Sequence, residues 1–267
     1  MPPPRNLKYK FFSRKNAMAT NKRPPAKYQP KGLPVLYEDR DIIVVEKPGG
    51  LLTMGTERDK SRTAHTILNE YVRKGDPRSR NRIYIVHRLD RETSGILIFA
   101  KSEGAKNFLQ EHWQETEKRY LTVVYGSLVP KTGTISSYLT ENSAFTVYST
   151  PDQVTGKLSH TEYTTLKEAK GFSLLEIHLL TGRKHQIRVH LSEKGHPVVG
   201  DRKYGRGNDS YNTLALHARS ISFTHPVNGR RLFFETGIPE FFVRLVGKIE
   251  PESGSQTVCP ETPEISP

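Results

Sequence analysis

The chain has 267 residues, 34% of them hydrophobic, which is enough for one large domain or two small ones. No apolar run approaches the length of a membrane span, and a single cysteine, Cys259, excludes an intramolecular disulfide and a cysteine-based metal centre. The 41 Lys and Arg against 28 Asp and Glu give +13, which points to a polyanionic partner, nucleic acid ahead of membrane, with a basic surface kept for solubility as the plainer alternative.

Residues 1–33 hold nine bases and no acid, are rich in proline and lack apolar periodicity. They read as a flexible basic arm, in which Tyr9, Phe11 and Phe12 could stack on bases or on the folded domain. The prolines argue against the amphipathic helix of a mitochondrial transit peptide. No basic start leads into an apolar stretch with a cleavage site, so a reducing, cytoplasmic setting is expected. The folded domain is expected over residues 34–248. Within it "DIIVVEKP" is a short strand stopped by Pro48-Gly49-Gly50, and "RTAHTILNEYVRK" is an amphipathic helix with Ala64, Ile67, Leu68, Tyr71 and Val72 on one face. A strand-like run from Ile83 to Val86 then breaks into His87-Arg88-Leu89-Asp90. It passes through the turn-forming Thr93-Ser94-Gly95 and returns to a second apolar run, Ile96 to Ala100. "GAKNFLQEHWQ" reads as a second amphipathic helix. "RYLTVVYG", "GTISSYL", "SHTEYTTLKEA", "SLLEIHLL", "LHARSISFTH" and "RRLFFET" read as strands with turn signals between them. Strands too close for intervening helices predict an α+β class, a mostly antiparallel (mixed) central sheet with a few packed helices. Residues 249–267, with four acids, no base and four prolines, read as a disordered acidic tail.

If the strand through Ile85 continues, alternation puts Val86, Arg88 and Asp90 on one face and His87 and Leu89 on the other. Taken alone, an arginine and an aspartate two apart are more often a surface ion pair than a reactive pair. A second segment, "LLTGRKHQIRVHLSEKGHPVVGDRKYG", alters that balance. Thr181 is a candidate N-cap and "KHQIRVHLSEKG" a short helix closed by Gly195, with Ile187 and Leu191 toward the core. Arg183, Lys184, His185, Arg188, His190 and Lys194 crowd this one element. It is either a solvated basic helix or a phosphate-binding patch that also delivers a cation to a buried carboxylate. A zinc site from His185, His190 and His196 fails on spacing.

"HRLDRETSG" resembles the signature of the RluA-like pseudouridine synthases, in which His-Arg-Leu-Asp is followed by two variable residues and Thr-Ser-Gly. "YEDRDIIVVEKPGGLLT", "EKRYLTVVYG", "TGRKHQIRVHLSEKGHPVVGDRKYG" and "LALHARSISFTHPVNG" resemble further family elements in the same order, so the likeness spans about Val35 to Phe242. The resemblance implies isomerisation of uridine in RNA to pseudouridine, without cofactor or metal. The bond from nitrogen 1 is broken, the held uracil is turned, and carbon 5 is rejoined to the ribose. It implies Asp90 as the essential carboxylate, Arg188 as its buried partner and Tyr120 as the active-site tyrosine. Arg88 would fill the space left by the flipped nucleotide or hold that nucleotide, and Arg183 and Lys184 would contact phosphates. His87 is left structural. The implied partner is RNA, tRNA or rRNA; a monomer is the default expectation, and the lack of a long apolar run argues against a membrane partner. Nothing before Leu33 looks able to form the small RNA-binding domain that many members carry. The rival readings are a non-catalytic RNA-binding protein on the same fold, and a glycoside hydrolase using Asp90 and Glu92.

Overall fold

A computed structural model of the protein describes Pro25 and residues 28–55, 62–76, 78–207 and 210–249. Most of the basic arm and the acidic tail lie outside the described residues. Packing begins before residue 34: Leu33 is fully buried, and the Gln29 side chain accepts the Val35 N–H at 2.6 Å.

The opening hairpin is β1 (Val35–Glu38) and β2 (Ile42–Lys47). Asp39 closes its turn by accepting the N–H groups of Asp41 and Ile42, both at 2.8 Å. β2 pairs antiparallel with β4 (Ser94–Ala100), and the two-residue β3 (Tyr84–Ile85) pairs with the end of β4. These apolar runs are buried on both faces. Ile43, Val45, Leu97 and Phe99 pack against α1 (Ala64–Arg73). Ile42, Val44, Ile96 and Ile98 pack on the other side with Ala105 and Leu109 of α2 (Glu103–Glu111). Thr63 starts α1 with a capping box shared with Thr66, and the Ser102 hydroxyl caps α2.

The second half is an antiparallel run of β5 (Glu117–Tyr125), β6 (Thr132–Glu141), β7 (Val147–Thr150), β8 (Lys157–Ala169) and β9 (Phe172–Leu179). Its core closes against α3 (Gln186–Glu193) and α4 (Glu240–Val246). β10 (Leu216–Thr224) joins the halves, antiparallel to β5 and to β11 (Arg231–Glu235) but parallel to β4. The sheet order is β1-β2-β4-β10-β5-β9-β8-β6-β7, and β4·β10 is its one parallel pairing among the described residues. The expected α+β class with a mixed, mostly antiparallel sheet is therefore observed. No helix among the described residues is long and apolar enough to cross a membrane.

Three local expectations are corrected. Ser94 and Gly95 are not a turn but the start of β4, and Gly95 is required by packing: at φ 113° a Cβ would lie 2.3 Å from the Ala218 carbonyl oxygen. α3 starts at Gln186 rather than at Lys184, because His185 sits in the left-handed region at φ 54°. Thr181 is not its N-cap; its hydroxyl accepts the His160 N–H and donates to Gln186 Oε1, both at 2.9 Å. β7 and α4, of four and seven residues, are too short to show a period and emerge only from their packing.

Candidate active site

The chain leaves strand geometry after Ile85, and the loop 86–93 is held by groups from the opening hairpin and the segment after it. The buried Thr53 hydroxyl accepts the Leu89 N–H at 3.2 Å and donates to the Leu89 carbonyl at 2.9 Å. Lys47 is fully buried and donates to the carbonyls of Pro48, Leu51 and Arg91 at 3.0, 2.7 and 3.1 Å. Burial lowers its pKa to about 8, against the opposing charges of Glu92 and Asp90. Val86 and Leu89 go into opposite core clusters. Arg88 and Asp90 do line one cavity, but Leu89 lines it with them and Val86 does not, so the expected strand alternation fails because the chain is no longer a strand after Ile85. His87 accepts the Ile98 N–H at 3.0 Å and packs against Trp113 at 4.5 Å. Burial, then the Lys118 charge, push its pKa down to about 3, so it is a neutral packing residue.

α3 forms the facing wall, and it is not a solvated basic helix. Arg188 and His190 are buried with Ile187 and Leu191, and His190 is held by Thr161 and Ser137 hydroxyls at 2.9 and 3.0 Å. Gln186 fixes the turn before the helix, accepting the Arg183 N–H at 3.0 Å and donating to the His160 carbonyl at 3.0 Å. Arg188 donates from Nη1 to Asp90 Oδ2 at 3.2 Å. The two-point contact of the guanidinium is made with Asp201: Nε to Oδ2 and Nη2 to Oδ1, both at 2.7 Å. Burial would lower the arginine's pKa, but the bonds and charge of Asp201, then those of Asp90, outweigh it and raise it. The Asp201 side chain is only 1% exposed, against 19% for Asp90. Arg188 is thus a buried cation locked to one carboxylate and offered to a second.

Asp90, Arg188, Tyr120, Arg88, Arg183 and His185 line a common cavity of about 90 Å³. Tyr120 reaches it from β5, where it lies between Ile177 of β9 and Ala218 of β10. Burial and then the charge of Asp90 raise its pKa, so the phenol is neutral. Arg88 stands exposed at the rim, with no hydrogen bond or ion pair among the described residues. Arg183 is exposed and shared with a neighbouring cavity of about 390 Å³. Lys184 lines only that second cavity, where its ammonium pairs with Glu141 and lies 5.3 Å from the centre of the Phe145 ring. Glu92 is exposed and lines neither cavity, so it does not supply a glycosidase's second carboxylate. His185, His190 and His196 each bond to separate groups. One cluster of metal-type ligands, Asp39, Asp41 and His225, occurs among the described residues. Its Asp39 carboxylate is already bonded by Tyr37, His225 and two backbone N–H groups.

A family model described as RNA pseudouridylate synthase matches residues 41–193, which include Asp90, Tyr120 and Arg188. The chain belongs to the RNA pseudouridylate synthase family. It is 35% identical over 240 residues to ribosomal large subunit pseudouridine synthase D of Neisseria meningitidis serogroup A, covering 85% of this chain and 63% of that protein. It is 34% identical over 249 residues to an uncharacterized RNA pseudouridine synthase of Aquifex aeolicus, covering 86% and 77%. The chain therefore spans somewhat less than two thirds of the first relative's length. Among solved structures, human RNA pseudouridylate synthase domain containing 1 superposes with a TM-score of 0.64 at 28% identity, covering 83% of this chain and 89% of that one.

Sequence reasoning did not single out Asp201, Lys47, Thr53 or Gln186 in this family member, and it placed His185 only within a basic cluster. Asp201 was the most accessible of these, since it stands in the "GDRKYG" stretch of the resemblance. No spacing rule, however, links it to an arginine 13 residues earlier.

Proposed function

We propose that this protein isomerises uridine to pseudouridine in structured RNA, with Asp90 as the essential carboxylate. The observation that carries the reading is the convergence of Asp90, Tyr120 and Arg188 on one cavity, with Asp90 held by a buried arginine. A binding module has no need for a carboxylate facing a polyanion. Asp90 acts at the ribose, by attack on carbon 1′ or by removal of a ribose proton, and either route needs the carboxylate form. Arg188 sets a permanent positive charge against Asp90 Oδ2 at 3.2 Å. Tyr120 packs on the detached uracil and keeps a neutral hydroxyl for proton handling at carbon 5. Arg88, exposed and unpaired, takes the place of the flipped nucleotide, while Arg183 and Lys184 meet phosphates along the neighbouring cavity.

Residues 34–248 act as the catalytic domain, a monomer in the cytoplasm, with the basic arm 1–33 adding contacts to phosphates. The name of the Neisseria relative favours ribosomal RNA of the large subunit over tRNA as the substrate. The test is to map pseudouridines across total RNA from cells with the gene, without it, and with Asp90→Asn in its place. One or more sites should vanish in both altered strains, while the purified variant still binds RNA. A site that persists with Asp90→Asn would exclude the carboxylate chemistry.

A further inference from the structure

The chemistry assigned above leaves one titratable side chain of the catalytic cavity without a task. His185 stands immediately before α3 at φ 54° and ψ 12°, a left-handed backbone that is strained for any residue with a Cβ. Its carbonyl still accepts the Val189 N–H at 3.0 Å, so the helix starts normally while the ring is turned into the cavity. Nε2 lies 3.7 Å from Asp90 Oδ2. Nδ1 lies 2.7 Å from the Tyr204 hydroxyl.

The partners of that hydroxyl favour one tautomer. Tyr204 accepts the backbone N–H of Val147 at 3.0 Å, and an N–H can only donate. Among the described residues Nδ1 is the one acceptor within reach of the phenol proton, and donating that proton satisfies both groups, with Nδ1 as the acceptor. A neutral imidazole has one N–H, so that proton is on Nε2, facing Asp90. The opposite tautomer would aim a lone pair at the carboxylate. The groups facing His185 are Asp90 from the loop before β4, Arg188 and Lys184 from its own element, and Lys203 and Tyr204 from the loop after α3. Burial lowers its pKa; Asp90 opposes this, and the three cations add to it, so the ring is neutral near pH 7. Asp201 anchors the whole arrangement, because its Oδ1 accepts both Arg188 Nη2 and the Tyr204 N–H, at 2.7 and 3.0 Å.

We propose that His185 is a positioning residue for Asp90: held by Tyr204 as the Nε2–H tautomer, it is the second donor to Oδ2 beside Arg188 and leaves Oδ1 as the oxygen that acts on the ribose. This rests on the catalytic role of Asp90 proposed above. A single bond from Arg188 at 3.2 Å leaves the carboxylate free to turn, and a second donor on the same oxygen fixes its plane. At 3.7 Å the contact in the RNA-free protein is electrostatic, and the donor role requires it to shorten when RNA displaces water from the cavity.

Two measurements test it. Nitrogen-15 NMR of the labelled full chain without RNA, with the His185 signal assigned by its loss in His185→Gln, should show the proton on Nε2. Tyr204→Phe, which keeps the ring and removes the phenol proton, should shift the population toward Nδ1–H. An Nδ1–H ring in the unaltered protein overturns the proposal whatever the enzyme's activity. Single-turnover pseudouridine formation at saturating RNA should fall roughly 10- to 100-fold in His185→Ala, as expected for loss of one hydrogen bond to a charged group, with RNA affinity unchanged. His185→Gln, whose amide N–H can stand near the place of Nε2, should recover part of the rate. His185→Gly, which suits the left-handed backbone, should be more stable than His185→Ala and equally slow. Equal rates in the glutamine and alanine variants, or full activity in the glycine variant, would assign the residue to the backbone alone. Absence of activity in the unaltered protein would instead count against the proposed function and leave the tautomer result standing.

Discussion

At the α3 side of the cavity Arg188 is bound by two carboxylates, and at the β2 side Lys47 is bound by three carbonyl oxygens. Both cations are buried and both feel the charge of Asp90, yet their proton affinities move in opposite directions. Burial, outweighed by Asp201 and then by Asp90, leaves the Arg188 pKa raised; burial, only partly opposed by Glu92 and Asp90, leaves Lys47 lowered to about 8. A cation held by carboxylates is permanent and can be presented to a reacting group. A cation held by carbonyls carries a conditional charge, and its work is to tie the segments at Pro48, Leu51 and Arg91 to one point. The first device sets the chemistry of Asp90, and the second sets where its loop lies.

The largest expected effect breaks the first device. Arg188→Met should lower single-turnover activity by roughly 100-fold or more, the scale for losing one preorganised electrostatic contact at a reacting group. It should also destabilise the fold by about 3–5 kcal/mol, the cost of leaving a buried charge unpaired. The uncompensated charge is chiefly Asp201, which is almost wholly buried, whereas water reaches Asp90. Adding Asp201→Asn to Arg188→Met should therefore restore more stability than adding Asp90→Asn. Urea unfolding of the four proteins compares them, and equal recovery by both double variants would mean that Arg188 is shared evenly.

Breaking the second device should be felt in folding before chemistry. Lys47→Met leaves buried carbonyls without their donor and should cost about 3 kcal/mol, in the range for one or two hydrogen bonds from a charged group. The rate of the protein that remains folded should fall less than in Arg188→Met. A rate loss as large as that of Arg188→Met, with stability unchanged, would give Lys47 a direct part in catalysis.

Alkali sharpens the contrast with a smaller effect. Lys47 binds its proton more weakly in the folded chain, near 8, than at its ordinary value of 10.5, so the unfolded state holds more protons between those values. Stability contributed through Lys47 should therefore rise as pH goes from 8 toward 10, by the sign of the linkage relation. Lys118, also lowered to about 8 by burial, adds to the same rise. The difference between unaltered protein and Lys47→Met across that window isolates Lys47, and a parallel pair of curves would contradict its lowered pKa.

The smallest effect separates exposed cations from both buried ones. Arg183→Ala should weaken RNA binding about 3- to 10-fold and reduce its salt dependence by about one charge. Lys184→Ala should do less, because its charge is already partly satisfied by Glu141. Filter binding over a salt series measures both, and a larger loss for Lys184 would mean that RNA displaces Glu141.

Apolar period and turn residues were enough to find most strands, both amphipathic helices and the α+β class, since those signals are local. The quoted motifs led to Asp90, Tyr120 and Arg188, which the fold does bring to one cavity. What they carried less well was partnership. Lys184 was grouped with Arg183, yet the two diverge because Glu141 of β6 and Phe145, in the loop after it, meet only the lysine.

By itself the sequence determined most element types, the buried face of α1, and the residue kinds available for chemistry, because each depends on neighbours a few positions apart. Only the tertiary structure decided that β10 enters the sheet parallel to β4, that Gly95 must therefore lack a Cβ, and that the fork of Arg188 belongs to Asp201. It also decided that His185 turns its Nε2 to Asp90, 95 positions earlier in the chain. These are contests among groups brought together from distant segments, and the strongest bond goes to whichever partner is nearest, best oriented and most deeply removed from water. Local periodicity does not encode those distances.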